Sequence, residues 1–376
     1  ASVLPVGYEI FRMAYFGLLV PNTGLVKSAT SLWWSQGFAY LLNLFNPYWL
    51  WIPVAVLIAV QLHRAYEYKA NHRTMLLVLS PVVAGLLSIT YYTAIGGDFM
   101  HGRLLLPGLF CLLMGASVSV TSWRRAVPVV LVAVWSVVCV SALRWGVAPP
   151  GATIGDERTV AMWQSHSVER SKHPITAADY AQSKWYRFGI ELRDGAAKLA
   201  PGSNRLVLGA NPSLFVPLPT ELPPIVQGHS GLGSSLIAAT RPIGQVGFAA
   251  GSRVYIFDEL SLANPVSSHF IVHVRSKPGH EKVASMAWYL GRFGQPGDVD
   301  QLNRYRSVSY FEEVTASDVV AARAALSCGQ LRVYLRGITD PLTPNVMMSN
   351  IWHALSNTTM KFDPNPALAQ RQLCHG

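Results

Sequence analysis

The sequence is poor in charge, and poorest in acidic side chains. Charged residues make up 13% of its 376 positions, about half the share in an average globular chain. Residues 1–150 contain nine Lys and Arg but three Asp and Glu, while residues 151–376 contain 21 and 17. With 51% hydrophobic residues, the chain does not have the composition of a disordered protein. We therefore expect part of it to lie in a lipid bilayer.

Cysteine is also scarce, and four residues are too few for a disulfide scaffold. Cys111 and Cys139 fall inside apolar stretches and are interpreted as small buried residues. Cys328 and Cys374 would pair in an oxidising compartment, closing a loop worth about 4 kcal/mol in the chain-entropy estimate. Two unpaired thiols are the alternative.

Other common signals are missing as well. Without a block of like charges there is no nucleic-acid-binding arm, and the net charge of +10 favours anionic lipid over nucleic acid. The eleven His have no metal-ligand spacing, so no histidine-based metal site is predicted. The opening stretch lacks the pattern of a signal peptide, and we expect it to continue a longer chain.

Four apolar stretches are long enough, or nearly so, to cross a bilayer, which takes about 20 helical residues. They cover about 48–62, 74–95, 104–121 and 126–145. Basic residues lie between the first and second stretches (64–73) and between the third and fourth (122–125), so both loops are predicted to be cytoplasmic. The alternative is four buried helices of a large soluble core.

This topology divides the chain into three parts. Residues 1–46 form an amphipathic segment at the outer membrane face, 47–146 an α-helical polytopic domain, and 147–376 a mixed α/β domain outside the membrane. In the outer domain, apolar spacing predicts helices at 176–200, 280–293 and 316–327, and strands at 205–210, 253–257 and 330–337.

The loop Gly96-Gly97-Asp98-Phe99-Met100-His101-Gly102-Arg103 has the strongest functional signal. It places Asp98, His101 and Arg103 within six residues at the outer mouth between two spans. Ionisable groups at such positions usually line a functional cavity or pair with one another, and arginine grips phosphate bidentately. An Asp98–Arg103 pair that only closes the hairpin is the alternative.

A second stretch, RMAYFGLLVPNT at 12–23, is aromatic and apolar with only a few cations and is followed by Lys27. Helical spacing from Leu25 through Gln36 predicts an amphipathic helix on the membrane surface. Lys27 and Asn22 are candidates for contact with a lipid phosphate or substrate, and an ordinary lysine that reaches out to the membrane interface is the alternative.

These motifs together resemble one family. GGDFMHGRLLLP at 96–107, YFGLLVPNT with Lys27, and VYIFDELSLANP at 254–265 followed by KPGHEK at 277–282 are similar to the GT-C glycosyltransferases that use lipid-linked sugars, and among them to the arabinofuranosyltransferases of the mycobacterial cell wall. The resemblance implies a plasma-membrane enzyme with an outer C-terminal domain.

The implied reaction is an inverting transfer from decaprenyl-phosphoryl-arabinofuranose to the ends of arabinan, in arabinogalactan or lipoarabinomannan. The family's catalytic acids lie in its first outer loop, to which nothing here corresponds, so the chain resembles a C-terminal half and its catalytic base is unknown. Lys27, His101 and Arg103 are candidates to stabilise the leaving phosphate. Asp98 would orient Arg103, hold the acceptor or bind a possible divalent cation. A lipid-linked sugar transporter or a glycan-binding envelope protein are the alternative functions.

Overall fold

A computed structural model describes residues 3–27, 31–114, 123–142, 153–155, 176–208, 225–228, 232–305 and 313–375. These residues divide into two compact units. The first, called the sheet unit, comprises the described parts of Ala1–Lys27, Val160–Arg275 and Gly279–Gly376. The second, called the helical unit, comprises those of Ser28–Thr159 and Ser276–Pro278. The predicted boundaries at 46 and 146 rest on membrane position, which these contacts do not test, and they stay a prediction.

The helical unit contains helices α3 to α7. They are α3 (Trp34–Phe45), α4 (Trp51–Glu67), α5 (His72–Ala94), α6 (Leu106–Leu113) and α7 (Trp123–Ser141). A core of apolar side chains, including Tyr40, Leu57, Leu105 and Leu112, holds α3 to α6 together.

Among the described helices, α5 has the length and composition to cross a membrane, with 23 residues and a mean hydropathy of 1.9. Helix α7 contains a shorter apolar segment, Val129–Ser141. Helices α4, α5 and α7 overlap the first, second and fourth predicted spans. The remaining span, predicted at 104–121, is described only up to residue 114. The four-span topology therefore stays a prediction.

The predicted helix from Leu25 through Gln36 is wrong. Helix α2 (Asn22–Val26) ends before Lys27, and α3 begins at Trp34. Trp33 has a φ of −146°, and its backbone amide donates to the Ala94 carbonyl at 2.7 Å. This contact with the end of α5 replaces a bond that a continuous helix would make. Residues 28–30 lie outside the described part.

The sheet unit is built on four short strands in the order β2-β1-β3-β4. They are β1 (Arg205–Val207), β2 (Ile225–Gln227), β3 (Leu236–Thr240) and β4 (Val254–Asp258). Strand β1 pairs antiparallel with β2 and parallel with β3, and β3 pairs parallel with β4 from Leu236↔Val254 to Thr240↔Asp258. Every residue of β3 is buried, as expected of a strand covered on both faces.

Ten helices of the sheet unit accompany these strands in the described residues. They are α1 (Val3–Phe16), α2, α8 (Lys184–Ala197), α9 (Ile243–Ala250), α10 (Met286–Phe293), α11 (Val299–Tyr305), α12 (Ala316–Leu326), α13 (Gly329–Thr339), α14 (Pro344–Thr359) and α15 (Pro366–Cys374). Phe188 of α8 and Val246 of α9 pack with one set of strand residues, and Trp288 and Tyr289 of α10 with another. The Tyr289 hydroxyl donates within the core to the carbonyls of Val207 and Ile237, both 3.0 Å away.

The predicted strand at 330–337 is wrong, because these residues belong to α13. Its alternating apolar residues also satisfy helical spacing, and the structure buries Leu331 and Tyr334 on one face of α13. Cys328 stands at the N-cap of α13 with extended dihedrals and forms a disulfide with Cys374, at a Cα–Cα distance of 5.1 Å. The bridge joins the start of α13 to the end of α15.

The predicted helix at 280–293 begins later than the sequence indicates, at Met286. The Ala284 backbone amide donates to the Glu259 carbonyl at 2.9 Å. The ammonium of Lys282 is buried and donates to the carbonyls of Leu25 and Ser268, each at 2.8 Å. These tertiary bonds keep the stretch before Ser285 out of the helix.

Candidate functional site

The loop that follows α5 places Asp98 and Arg103 in contact. Arg103 donates to the Asp98 carboxylate, whose side chain is fully buried while that of Arg103 is 45% exposed. A buried carboxylate that loses its cation carries a large free-energy penalty. Asp98 therefore fixes one side of the Arg103 guanidinium and leaves part of it facing solvent.

Tyr40 of α3 holds this loop from inside the helical unit. Its hydroxyl donates to the Met100 carbonyl and accepts from the Leu104 backbone amide, both at 3.0 Å. Gly97 has a φ of +68°, and a Cβ there would lie 2.3 Å from the Tyr40 ring. Glycine is therefore required by both the backbone conformation and the space available.

His101 lies on the same loop and contacts two residues outside it. Its Nδ1 donates to Asn43 Oδ1 at 2.7 Å, and its ring lies 5.7 Å from the ring of Tyr48. The loop backbone also pairs with Gly155, whose amide donates to the Phe99 carbonyl at 2.6 Å. The structure thus brings the three predicted loop residues into one ordered turn.

Two cations lie near the ring of Phe99. Arg103 is 5.8 Å from its ring centroid, and the ammonium of Lys277 is 4.7 Å from it. Two cations therefore lie close to the Phe99 ring, and one of them, Arg103, also pairs with the buried Asp98 carboxylate. Such an arrangement suits a phosphate, because arginine can grip it bidentately while lysine acts as a point charge. Lys277, within the quoted KPGHEK motif, was missed as a site residue because it is distant in sequence.

The sheet unit contains a cavity of about 620 Å³, formed by two of the motifs noted in the sequence. YFGLLVPNT supplies one side of it and VYIFDELSLANP another, with Arg12 of α1, Arg292 of α10 and several residues of α13 completing the wall. The lining residues are Tyr8, Arg12, Tyr15, Phe16, Leu18, Val20, Pro21, Asn22, Thr23, Leu232, Tyr255, Leu262, Ala263, Pro265, Arg292, Tyr334, Ile338 and Thr339. Leu262, Ala263 and Pro265 of VYIFDELSLANP follow the carboxyl end of β4, where open α/β sheets commonly bind ligands.

Two arginines line the cavity in different ways. Arg12 contacts the Glu9 carboxylate and donates to the Leu19 carbonyl, so its charge is largely compensated. Arg292 lies 4.9 Å from the Phe293 ring centroid, and its Nη1 donates to the Tyr255 hydroxyl at 3.4 Å. Arg12 begins the second stretch noted in the sequence but was not predicted to be a site residue. Arg292 was missed, because it is an isolated cation in an apolar helix.

Of the two predicted residues in this region, Asn22 lines the cavity. Its Oδ1 is buried and has no hydrogen-bond partner among the described residues. Lys27 is the C-cap of α2, and its backbone amide donates to the Thr23 carbonyl at 3.3 Å. Among the described residues it is not part of the cavity wall.

The acidic pair of VYIFDELSLANP shapes the cavity wall rather than facing a ligand. Asp258 accepts from the backbone amides of Leu260 at 2.9 Å and Ala263 at 2.7 Å, and burial raises its pKa to about 6. Glu259 pairs with Arg241 Nε at 3.3 Å, and burial raises its pKa to about 7. Lys282 of KPGHEK is also structural, since burial lowers its pKa to about 8 and carbonyls take up its ammonium.

The described residues contain no group of three or more His, Cys, Asp and Glu side chains arranged to hold a metal ion. The possible divalent cation at Asp98 stays a prediction. No solved structure matches the chain.

Comparison with known proteins places the chain near one group. Residues 234–372 match the AftB family C-terminal domain. The chain is 30% identical, over 96% of its length, to the terminal beta-(1->2)-arabinofuranosyltransferase of Mycobacterium tuberculosis, and 27% identical, over 97%, to the protein of the same name from Corynebacterium glutamicum. It spans 62% and 55% of the lengths of these two relatives. The resemblance indicated by the motifs is thus confirmed by the match of residues 234–372 to this C-terminal domain and by the similarity to the two relatives.

Proposed function

We propose that the chain is part of an arabinofuranosyltransferase of cell-wall arabinan synthesis, which moves arabinofuranose from decaprenyl-phosphoryl-arabinofuranose to arabinan ends. Similarity to two terminal arabinofuranosyltransferases over nearly the whole chain is the observation that carries this proposal. The bond between the anomeric carbon and the donor phosphate breaks, and a bond to an acceptor hydroxyl forms. The hydroxyl proton passes to a base, and polyprenyl phosphate leaves.

The loop around Asp98 is the proposed place of the donor phosphate. Arg103 and Lys277 supply the cations that stabilise the growing negative charge of the leaving group. Asp98 acts as a positioning residue, because its carboxylate is fully buried and engaged by Arg103. His101 is held through Asn43 at the same turn. We assign the catalytic base to none of these residues.

The fold that accompanies this function is a GT-C type α-helical membrane domain followed by a mixed α/β domain outside the plasma membrane. Apolar helices α4, α5 and α7 support the first part, and the disulfide between Cys328 and Cys374 supports an oxidising environment for the second. The donor would then be reached from the bilayer and the arabinan from the outer side.

The test is transfer of arabinose from a polyprenyl-phosphate donor to a short arabinan acceptor, with the complete native protein in lipid nanodiscs. Arg103→Ala should lower turnover per folded molecule about a hundredfold or more, because a preorganised donor of this kind is worth about 2.7–4 kcal/mol. Arg103→Lys should recover part of this, since a point charge cannot reproduce the guanidinium fork. Arg64→Ala, a charge change outside the loop, serves as the matched control.

Turnover within about threefold of the wild type for folded Arg103→Ala, less than about 1 kcal/mol, would exclude the phosphate role. Movement of the lipid-linked sugar across the bilayer with no new glycosidic bond would instead identify a transporter. Glycan binding with neither reaction would identify a non-enzymatic envelope protein.

A further inference from the structure

We propose that the cavity of the sheet unit is a binding subsite for the saccharide acceptor, a short segment of arabinofuranose residues that Arg292 and Asn22 hold against aromatic rings. This inference rests on the proposed function and deepens it, since it gives the acceptor a site built from residues far apart in the sequence.

The size and lining of the cavity fit a small organic ligand. Its volume of about 620 Å³ is within the range of roughly 300–1,000 Å³ that is usual for ligand pockets. Apolar and aromatic side chains form most of the wall, and a few polar groups of Arg12, Asn22 and Arg292 stand among them. A cavity of this composition orients its ligand through those few groups.

The charge of the cavity is unlike that of a phosphate site. Arg12 pairs with the Glu9 carboxylate and donates to the Leu19 carbonyl. Its positive charge is therefore largely compensated and adds little to that of Arg292 in binding an anion. The guanidinium of Arg292 instead lies against Phe293 and near the Tyr255 hydroxyl. The guanidinium lies close to the rings of Phe293 and Tyr255. Its remaining N–H groups can donate to neighbouring hydroxyl oxygens of a neutral ligand.

The polar atoms without partners also favour a hydroxyl-bearing ligand. Asn22 Oδ1 is an acceptor and Arg12 Nε is a donor, and both are buried without a hydrogen-bond partner among the described residues. Buried polar atoms are normally paired, so each such exception calls for a missing partner. A hydroxyl both donates and accepts and can therefore pair with either kind of atom, whereas a fully ionised phosphate only accepts.

Aromatic residues complete the match to a sugar. Tyr15, Phe16, Tyr255 and Tyr334 line the cavity, and Tyr, unlike Phe, joins an apolar ring to a hydrogen-bonding hydroxyl. A furanose ring likewise has apolar C–H surface and hydroxyl edges. The wall can therefore contact both parts of the ligand at once, which a purely apolar groove cannot do.

The test is isothermal calorimetry on the complete protein in nanodiscs with a synthetic arabinofuranosyl tetrasaccharide. Farnesyl phosphate and inorganic phosphate serve as comparison probes. Arg292→Ala and Asn22→Ala should each weaken tetrasaccharide binding at least tenfold, and Tyr255→Phe should weaken it a fewfold while preserving the packing. Arg332→Ala, on the exposed side of α13, should bind as the wild type does, and no variant should change the affinity for farnesyl phosphate.

Unchanged tetrasaccharide affinity in folded Arg292→Ala and Asn22→Ala would overturn the subsite. So would a selective loss of farnesyl phosphate binding in these variants, which would make the cavity a lipid-phosphate site. If Arg292→Ala fails to fold, Asn22→Ala and Tyr255→Phe decide the question. Calorimetry requires no transfer, so a saccharide-binding protein without transferase activity would disprove the proposed function and leave this inference standing.

Discussion

Asp98 and Arg103 form an ion pair in which the carboxylate is completely buried and the guanidinium is 45% exposed. The two partners are therefore not equivalent. Loss of Arg103 leaves a charge in the interior of the helical unit, whereas loss of Asp98 leaves a cation that water can reach. This asymmetry allows the structural role of the pair to be separated from its role in binding.

Arg103→Ala alone should destabilise the helical unit by about 3–5 kcal/mol, because it removes the cation that pairs with the buried Asp98 carboxylate. The double variant Asp98→Asn/Arg103→Ala should regain most of that stability, since the amide carries no charge to desolvate. Thermal unfolding monitored by intrinsic fluorescence measures both. If the double variant also regained turnover, Arg103 would have no role beyond pairing with Asp98.

Tyr40→Phe should loosen the loop without removing any charged group. It deprives the Met100 carbonyl and the Leu104 amide of their shared partner, which costs about 1–3 kcal/mol when such groups stay buried. Hydrogen–deuterium exchange should rise at residues 98–104. Tyr91→Phe, at an exposed ring, is the control. Equal protection of residues 98–104 in the two variants would contradict the role of Tyr40 in holding the loop.

Replacement of Cys328 and Cys374 by serine should lower the free energy of unfolding by about 4 kcal/mol, because the bridge closes 46 residues. Mass spectrometry of unreduced peptides should first detect the linked pair in the native protein. Two alkylated free thiols in that experiment would refute the disulfide and, with it, the support for an oxidising compartment.

His269 should make the sheet unit sensitive to acid. Burial lowers its pKa to about 4, and its Nδ1 lies 3.2 Å from the Met360 carbonyl, which fits a neutral ring that donates there. Because the folded-state pKa is below the ordinary value of about 6.5, the unfolded chain binds more protons between these two values. The contribution of His269 to stability is thus present above about pH 6.5 and is lost as the pH falls towards 4, by up to about 3 kcal/mol.

The matched variant for this effect is His269→Asn, which keeps a donor for Met360 but does not titrate. The wild type should lose more stability than the variant between pH 6.5 and 4 in denaturant titrations. Asp258 and Glu259 act in the opposite direction over part of this range, because burial raises their pKa values, so the difference between wild type and variant is the quantity to compare. Parallel curves would contradict the prediction.

The predicted membrane topology is tested by cysteine labelling in intact cells. A single cysteine placed at the exposed Ala70, between α4 and α5, should not react with an impermeant reagent added from outside, because basic loops stay in the cytoplasm. Cys111 and Cys139 are replaced by serine beforehand. A cysteine at Lys198, in the predicted outer domain, should react and is the positive control. Labelling at position 70 from outside would show that the orientation is opposite to the predicted one.

Local chemistry allowed the sequence by itself to determine several features. Long apolar stretches with few charges indicate the positions of α4, α5 and α7, since hydropathy is a property of neighbouring residues. The N-cap of α12 is equally local, because the Thr315 hydroxyl accepts from the Asp318 backbone amide three residues later, at 3.2 Å. The grouping of Asp98, His101 and Arg103 also follows from proximity within one loop.

Tertiary contacts decided the remainder. Alternating apolar residues at 330–337 fit either a strand or a helix, and the burial of Leu331 and Tyr334 on one face of α13 settled the matter. Lys277 reaches Phe99 from a position 178 residues further along the chain. The cavity joins YFGLLVPNT to VYIFDELSLANP across more than 230 residues. No local pattern encodes such pairings, because they depend on which buried surfaces pack together in the folded chain.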